Sequence, residues 1–268
     1  MSNFINLLLR RSNRPKVNHK LTFFLLVLSL FSGWQCVEAS TPANAPAELK
    51  MLTQIDAAAS KGDVKTVMQY YSPNFKHGDG LTRQNMEKAL TSLWKRYPQL
   101  RYSTKLESWK SQGNGIVAET VTQISGLPSA NSQNLTFNST IRSRQLIIGA
   151  KIVQQDILTE RTQLSSGAKP PQLDIKLPQQ VKVGQQFTFD AIVAEPLGED
   201  YLLGSALEEP VQADKLLNPT NVNLELLTAG GLFKVGNAPA TPGSRWISAI
   251  IMRGGGMTMV TQRLQVVR

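Results

Sequence analysis

The sequence predicts an α+β unit, three helices laid on a curved antiparallel sheet, followed by an all-β sandwich. Three observations predict it. Apolar residues recur at three-to-four spacing from Leu49 to Tyr97, the period drops to two after Pro98, and charge and composition change around residues 164–171.

The first helix carries Leu49, Leu52, Ile55 and Ala59 and ends at Gly62. Asp63 is placed to cap a second helix with Val64, Val67, Met68 and Tyr71 on one face, and Ser72-Pro73 stops it because the residue before proline avoids the helical region. Thr82 caps a third helix whose stripe is Met86, Ala89, Leu90, Leu93, Trp94 and Tyr97, ending before Pro98. Then Leu100, Tyr102, Thr104 and Leu106 alternate with polar residues, and Gly113-Asn114-Gly115 signals a tight turn. Further strands are expected over 116–124, 135–148 and 152–162, with a polar turn at 128–133. Residues 164–171, ending in Lys169-Pro170-Pro171, read as a linker. Beyond it, short alternating runs over 173–178, 181–185, 187–193, 221–227, 232–235, 245–253 and 257–267 argue for two packed sheets. The acidic stretch 195–214 reads as a long inter-strand loop, and Gly254-Gly255-Gly256 as a hairpin loop.

Residues 1–39 have the three-part plan of a secretory signal: a basic leader with Arg10, Arg11, Arg14, Lys16 and Lys20, the apolar run LTFFLLVLSLF, and small residues before a cleavage point after Ala39. The expected location is the periplasm or another extracytoplasmic lumen. An uncleaved anchor is the competing reading, although the run is shorter than the ~20 residues of a comfortable span. The chain has 29 Lys+Arg and 19 Asp+Glu. Six units of the positive excess fall on residues 44–163, whereas 168–268 balance. The one cysteine, Cys36, lies in the leader, so a cleaved chain has no disulfide, thiol nucleophile or thiolate ligand. Neither a metal nor a cofactor is expected.

The element order, together with Gly62-Asp63, Tyr70-Tyr71 and the segment SPNFKHGDG, resembles the nuclear transport factor 2-like superfamily, in its SnoaL-like or ketosteroid-isomerase-like branch, over residues 45–163. The resemblance implies a cone enclosing one pocket, used by different members for catalysis, ligand binding or association, and dimerisation through the sheet. The run Val181-Lys182-Val183-Gly184-Gln185, with Phe187 and Phe189, resembles a bacterial immunoglobulin-like sandwich over residues 172–268.

His77 and Asp79, two residues apart, form a candidate acid–base pair, with Asp156 as a further carboxylate; a glycine-rich surface turn is the simpler account of the same residues. Tyr70, Tyr71, Phe75, Trp94, Tyr97 and Tyr102 are candidates for lining a pocket, against ordinary core packing at helical spacing. Trp109, Lys105, Arg142 and Arg144 are candidates for contacts on a sheet surface. The expected function is non-enzymatic: binding or assembly, with a small apolar ligand or a protein partner, including a second copy of the chain. An isomerase or dehydratase using the acid–base pair is the alternative, and an envelope scaffold binding an anionic surface is a third reading. An exported chain is not expected to meet nucleic acid, and membrane contact would come only through an uncleaved leader or the basic face.

Overall fold

A computed structural model describes residues 45–126, 135–198, 200–217 and 220–268. The expected leader, residues 1–39, and the turn at 128–133 lie outside the described residues.

A 3-10 turn, Ala47–Lys50, leads into α1 (Met51–Ala59) and α2 (Val64–Gln69). The Asp63 carboxylate caps α2, its Oδ1 accepting from the Thr66 N–H at 3.0 Å. The chain then departs from expectation. The segment SPNFKH is not a loop; it belongs to strand β1 (Tyr71–His77). Helix α3 (Arg83–Arg96) is capped by Thr82, whose Oγ1 accepts from the Asn85 N–H at 3.1 Å. Four long strands follow: β2 (Leu100–Gln112), β3 (Gly115–Gly126), β4 (Thr136–Ile148) and β5 (Lys151–Gly167). The remainder comprises β6 (Leu173–Lys176), β7 (Gln180–Lys182), β8 (Gln186–Val193), β9 (Leu203–Pro210), α4 (Ala213–Leu217), β10 (Glu225–Leu226), β11 (Gly231–Asn237), β12 (Gly243–Arg253) and β13 (Gly256–Val267).

The pairing of these strands overturns the expected architecture of a three-helix α+β cone followed by an immunoglobulin-like sandwich. One sheet of ten strands runs in the order β10-β9-β12-β13-β5-β4-β3-β2, with β1 added to β5 and β7 to β13. The protein is therefore mostly antiparallel sheet, with four short to medium α-helices among the described residues. The expected cone sheet and one sheet of the expected sandwich are parts of this single surface. They join where β13 pairs with β5 from Gly256↔Gly167 to Gln262↔Arg161. Residues 165–167, read as the start of a linker, are paired strand. The stretch 195–214, read as a loop, contains β9, which pairs with β12 over eight residues, and the start of α4.

Two cores follow from this layout. In one, Phe187, Phe189, Ala191 and Val193 of β8 meet Ile247, Ala249, Ile251 and Leu264 between the large sheet and the three-stranded sheet β11-β8-β6. In the other, α1 to α3 cover β2 to β5, burying Leu52, Val67 and Trp94 against Leu100, Leu106, Ile124 and Ile147. Burial of this kind contributes about 1.5–3 kcal/mol for each large aliphatic or aromatic side chain.

Strand β5 organises the centre. Along one edge it pairs with β4 from Lys151 to Ser165, with two register shifts. Along the other it pairs in parallel with β1 at residues 152–155, then antiparallel with β13 at residues 161–167. Beyond Gln262 the strand β13 leaves β5 and, from Gln265, pairs with β7 instead. The two strands thus fork, and polar side chains fill the fork. Among the described residues no helix is long and apolar enough to cross a membrane.

Candidate functional site

His77 ends β1 and Asp79 sits in the turn that follows, held by a Gly80 N–H bond to the His77 carbonyl at 2.9 Å. Gly80 has φ +78°, a conformation that glycine adopts without strain. The two candidate side chains approach each other, with His77 Nδ1 3.6 Å from Asp79 Oδ2. Their chemistry is committed elsewhere, however. The Asp79 N–H donates to His77 Nδ1 at 3.1 Å, so that nitrogen is the unprotonated one. Both Asp79 carboxylate oxygens accept from Arg263, Oδ1 from Nη1 and Oδ2 from Nη2, each at 2.8 Å.

Arg263 comes from β13, at the mouth of the fork, with its side chain only 2% exposed. Its Nη2 also donates to Glu160 Oε2 of β5 at 3.1 Å, and Trp246 Nε1 of β12 donates to the same oxygen at 3.0 Å. Gln265 Nε2 donates to the Leu158 carbonyl at 2.7 Å, satisfying a β5 carbonyl within the fork. Arg263 Nε remains buried without a partner. Burial alone would lower the Arg263 pKa, but the bonds and charges of Asp79 and Glu160 outweigh it and hold the guanidinium firmly protonated. Burial likewise holds His77 below the usual imidazole value, against the opposing pull of Asp79 and the other carboxylates. The result is a bidentate Arg–carboxylate pair tying the turn after β1 to the end of β13. Glu160 was one of the strand carboxylates set aside in favour of Asp156, and Arg263 and Trp246 were not foreseen. The available signal was a lone charge in the otherwise uncharged run TMVTQRLQVV.

Asp156 does not face this pair across a cavity. It is the register partner of Arg144, accepts from Gln154 Nε2 at 3.1 Å, and would lie 2.7 Å from a Cβ placed on Gly78. A side chain at Gly78 would therefore have to displace it.

The six aromatic candidates pack largely with one another. Tyr71 meets Phe75 edge to face at 4.9 Å between ring centres, and Trp94 meets Tyr102 at 6.1 Å. Trp94 Nε1 donates to the Tyr102 hydroxyl at 2.9 Å, and the Tyr70 hydroxyl donates to Gln54 Oε1 at the same distance. Tyr97 packs on Phe137. Burial pushes the hydroxyls of Tyr71 and Tyr102 up to about 12, so neither titrates in the ordinary range.

Of the sheet-surface candidates, Arg144 and Trp109 line one concavity, and Lys105 and Arg142 lie outside its lining. Paired residues share a face, which puts Ser108, Glu119, Arg144 and Asp156 in one row and Lys110, Val117, Leu146 and Gln154 in the next, opposite the helices. These rows line an open concavity of about 550 Å³. Arg142 bridges Glu107 and Glu119 at 2.6 and 2.7 Å, and Arg144 holds Glu119 at 2.7 Å. The bonds from Arg144 lead the causes that keep the Glu119 carboxyl below its usual range. Trp109 shares the row of Ala118 toward the helices, is half-buried there, and still reaches the concavity from the edge strand. A bulge between Leu106 and Ser108 shifts the phase of β2 just before it. Lys105 is exposed, a register partner of Val121, which in turn pairs with Arg142. Among the described residues no three His, Cys, Asp or Glu side chains gather as a metal site.

A family model for a domain of unknown function (DUF8623) matches residues 168–267. No curated protein matches the sequence. Among solved structures, Bd1075 of Bdellovibrio bacteriovorus is similar at 12% identity and a TM-score of 0.32, covering 41% of this chain. The chain spans only 38% of the length of Bd1075. An uncharacterised cystatin-fold protein of Novosphingobium aromaticivorans matches at 15% identity and a TM-score of 0.33, covering 42% of this chain and 98% of that one. A loop-truncation variant of IdmH matches at 12% and 0.32, covering 41% and 90%. The resemblance drawn from the sequence keeps only this coarser form, a loose likeness at low identity, which decides neither an activity nor a ligand.

Proposed function

We propose that this is an exported binding or assembly protein that engages another protein chain, in the first instance a second copy of itself, through the helix-free face of β2 to β5. The observation that carries the reading is the open concavity on that face, with Val117 and Leu146 among Lys110, Glu119, Arg144 and Asp156. Three strands of 12 or 13 residues and the facing part of β5 make the surface. At ~4.8 Å between strands and ~3.3 Å per residue they present roughly 700–800 Å². That is close to the ~800 Å² per partner of a standard interface. The face carries both signs of charge in adjacent rows, which suits a self-complementary contact. Arg142 and Arg144 are already engaged by carboxylates, which weakens the case for an anionic surface as the partner. The acid–base alternative loses its best pair, because Arg263 occupies both oxygens of Asp79. The ligand-pocket form is weakened by the mutual packing of Tyr71, Phe75, Trp94 and Tyr102.

Sedimentation equilibrium tests it. The wild-type chain is expected to dimerise at micromolar concentration, and Lys110→Glu with Arg144→Glu to weaken association at least ~10-fold while far-UV circular dichroism is unchanged. A wild-type chain that remains monomeric at tens of micromolar, or a charge-reversed variant that dimerises equally well, defeats the proposal.

A further inference from the structure

The fork between β5 and β13 holds the one buried imidazole among the described residues. Its side chain, 4% exposed, sits where β1 ends, beside Asp79 of its own turn, and feels the charges of Asp156 and Glu160 of β5 and Arg263 of β13. The geometry points to an acid-released latch: a proton added at His77 Nδ1 meets the Asp79 N–H already aimed at that atom, so protonation requires the turn to leave the fork. This device lies beyond the binding face proposed above and does not depend on it.

The argument is one of hydrogen-bond capacity. A neutral imidazole has one acceptor nitrogen, and here the Asp79 N–H uses it at 3.1 Å. After protonation both ring nitrogens are donors, and two N–H groups face each other. The Asp79 carboxylate, 3.6 Å from the same nitrogen, is the natural new acceptor, but its oxygens already bind Arg263. Those oxygens keep lone pairs to spare, but the Nδ1–H can turn to one of them only if the Asp79 N–H moves aside, so the turn that carries both groups must move. When it does, Arg263 loses its bidentate partner and keeps only Glu160, which also holds Trp246.

The direction with pH follows. Burial keeps the closed-state imidazole below the usual value, and it prevails over Asp79, Asp156 and Glu160, which favour the proton, while Arg263 opposes it. An exposed imidazole titrates near ~6.5. Above that pH both states are neutral, and the latch is at its most closed. Below it, the open state takes up a proton that the closed state refuses, so the ratio of closed to open falls as the pH falls, by at most about tenfold per pH unit.

Nuclear magnetic resonance of the full chain between about pH 7.5 and 5 tests this, following the His77 ring and the amides of Gly78, Asp79 and Gly80. The expected results are an unprotonated Nδ1 at the upper end and, below the exposed-imidazole value, a rise of up to ~10-fold per pH unit in the opening of these amides, corrected for intrinsic exchange. His77→Gln, which keeps an acceptor but cannot titrate, is expected to remove that pH dependence. A proton found on Nδ1 in the neutral ring overturns the proposal, and so does a ring that titrates like a free imidazole while the turn amides stay unchanged. Both readouts come from the wild-type chain, so the outcome stands even where the variant fails to fold.

Discussion

Replacing Arg263 by Met removes the cation from the fork while keeping most of its length and apolar contact. The wild-type side chain makes two bonds of 2.8 Å to Asp79 and one of 3.1 Å to Glu160, and is 2% exposed, whereas the two carboxylates are 12% and 19% exposed. The variant leaves two carboxylates facing each other with no cation between them. Breaking a buried pair from one side costs about 3–5 kcal/mol, and the partial exposure of both acids argues for the lower figure, about 3 kcal/mol. Against a total stability of roughly 5–15 kcal/mol this is a large fraction. With a urea slope of about 2–3 kcal/mol per molar, the midpoint is expected to fall by roughly 1–1.5 M at neutral pH. The double variant Arg263→Met with Asp79→Asn also removes one uncompensated charge, so it is expected to recover part of the loss, with a coupling on the order of 2 kcal/mol. A midpoint shift below about 0.3 M, or strictly additive losses in the cycle, would refute the view that this guanidinium joins the turn to β13.

Tyr102→Phe leaves Trp94 Nε1 without its acceptor in a buried site, and should cost about 1–2 kcal/mol in urea unfolding. Glu119 is held below its usual range, chiefly by Arg144, so its contribution is present above the unfolded value and lost as the pH falls through the lower folded one. Glu119→Gln is therefore expected to flatten the acid limb of a stability–pH curve, and an unchanged limb would count against the Arg142–Glu119–Arg144 network. Because β13 and β5 share seven register pairs, urea unfolding followed by tryptophan emission and by far-UV circular dichroism should give one coincident transition. Two separated transitions would mean that the continuous sheet does not couple its two ends.

Local features were legible in the sequence and long-range ones were not. The caps at Asp63 and Thr82 are readable because a side-chain oxygen bonds an amide three residues on. The Gly113-Asn114-Gly115 turn and the period of two from Leu100 onward fix the β2–β3 hairpin within a single stretch of chain. Strand β1 was missed because Ser72-Pro73 and the glycines beyond His77 carry loop chemistry. Its pairing depends on β5, some eighty residues away, and the register slips between Tyr71 and Lys76. Strand β9 was missed because LGSALEEP has little strand preference of its own, and β12 supplies the context that makes it one. The site divides in the same way. His77 and Asp79 are adjacent enough to suspect from spacing, but the group that decides their role, Arg263, is 184 residues away from Asp79.

The same fact bears on why the fork is built from charge. Where two strands part, backbone groups lose their ladder partners, and an apolar plug would leave them unsatisfied at a cost of about 1–3 kcal/mol each. Side chains with several donors solve that problem: Gln265 caps the Leu158 carbonyl, and Arg263 gathers the acids of the turn and of β5. An apolar filling could match the stability, since buried ion pairs often gain little over well-packed hydrocarbon. It could not specify which turn docks there. A bidentate guanidinium accepts a carboxylate only in its own plane, and Asp79 meets it with both oxygens at equal distance. The charged fork is thus best understood as a device for register. It selects one docking of the β1–α3 turn on the sheet, and the committed state of His77 follows from that selection.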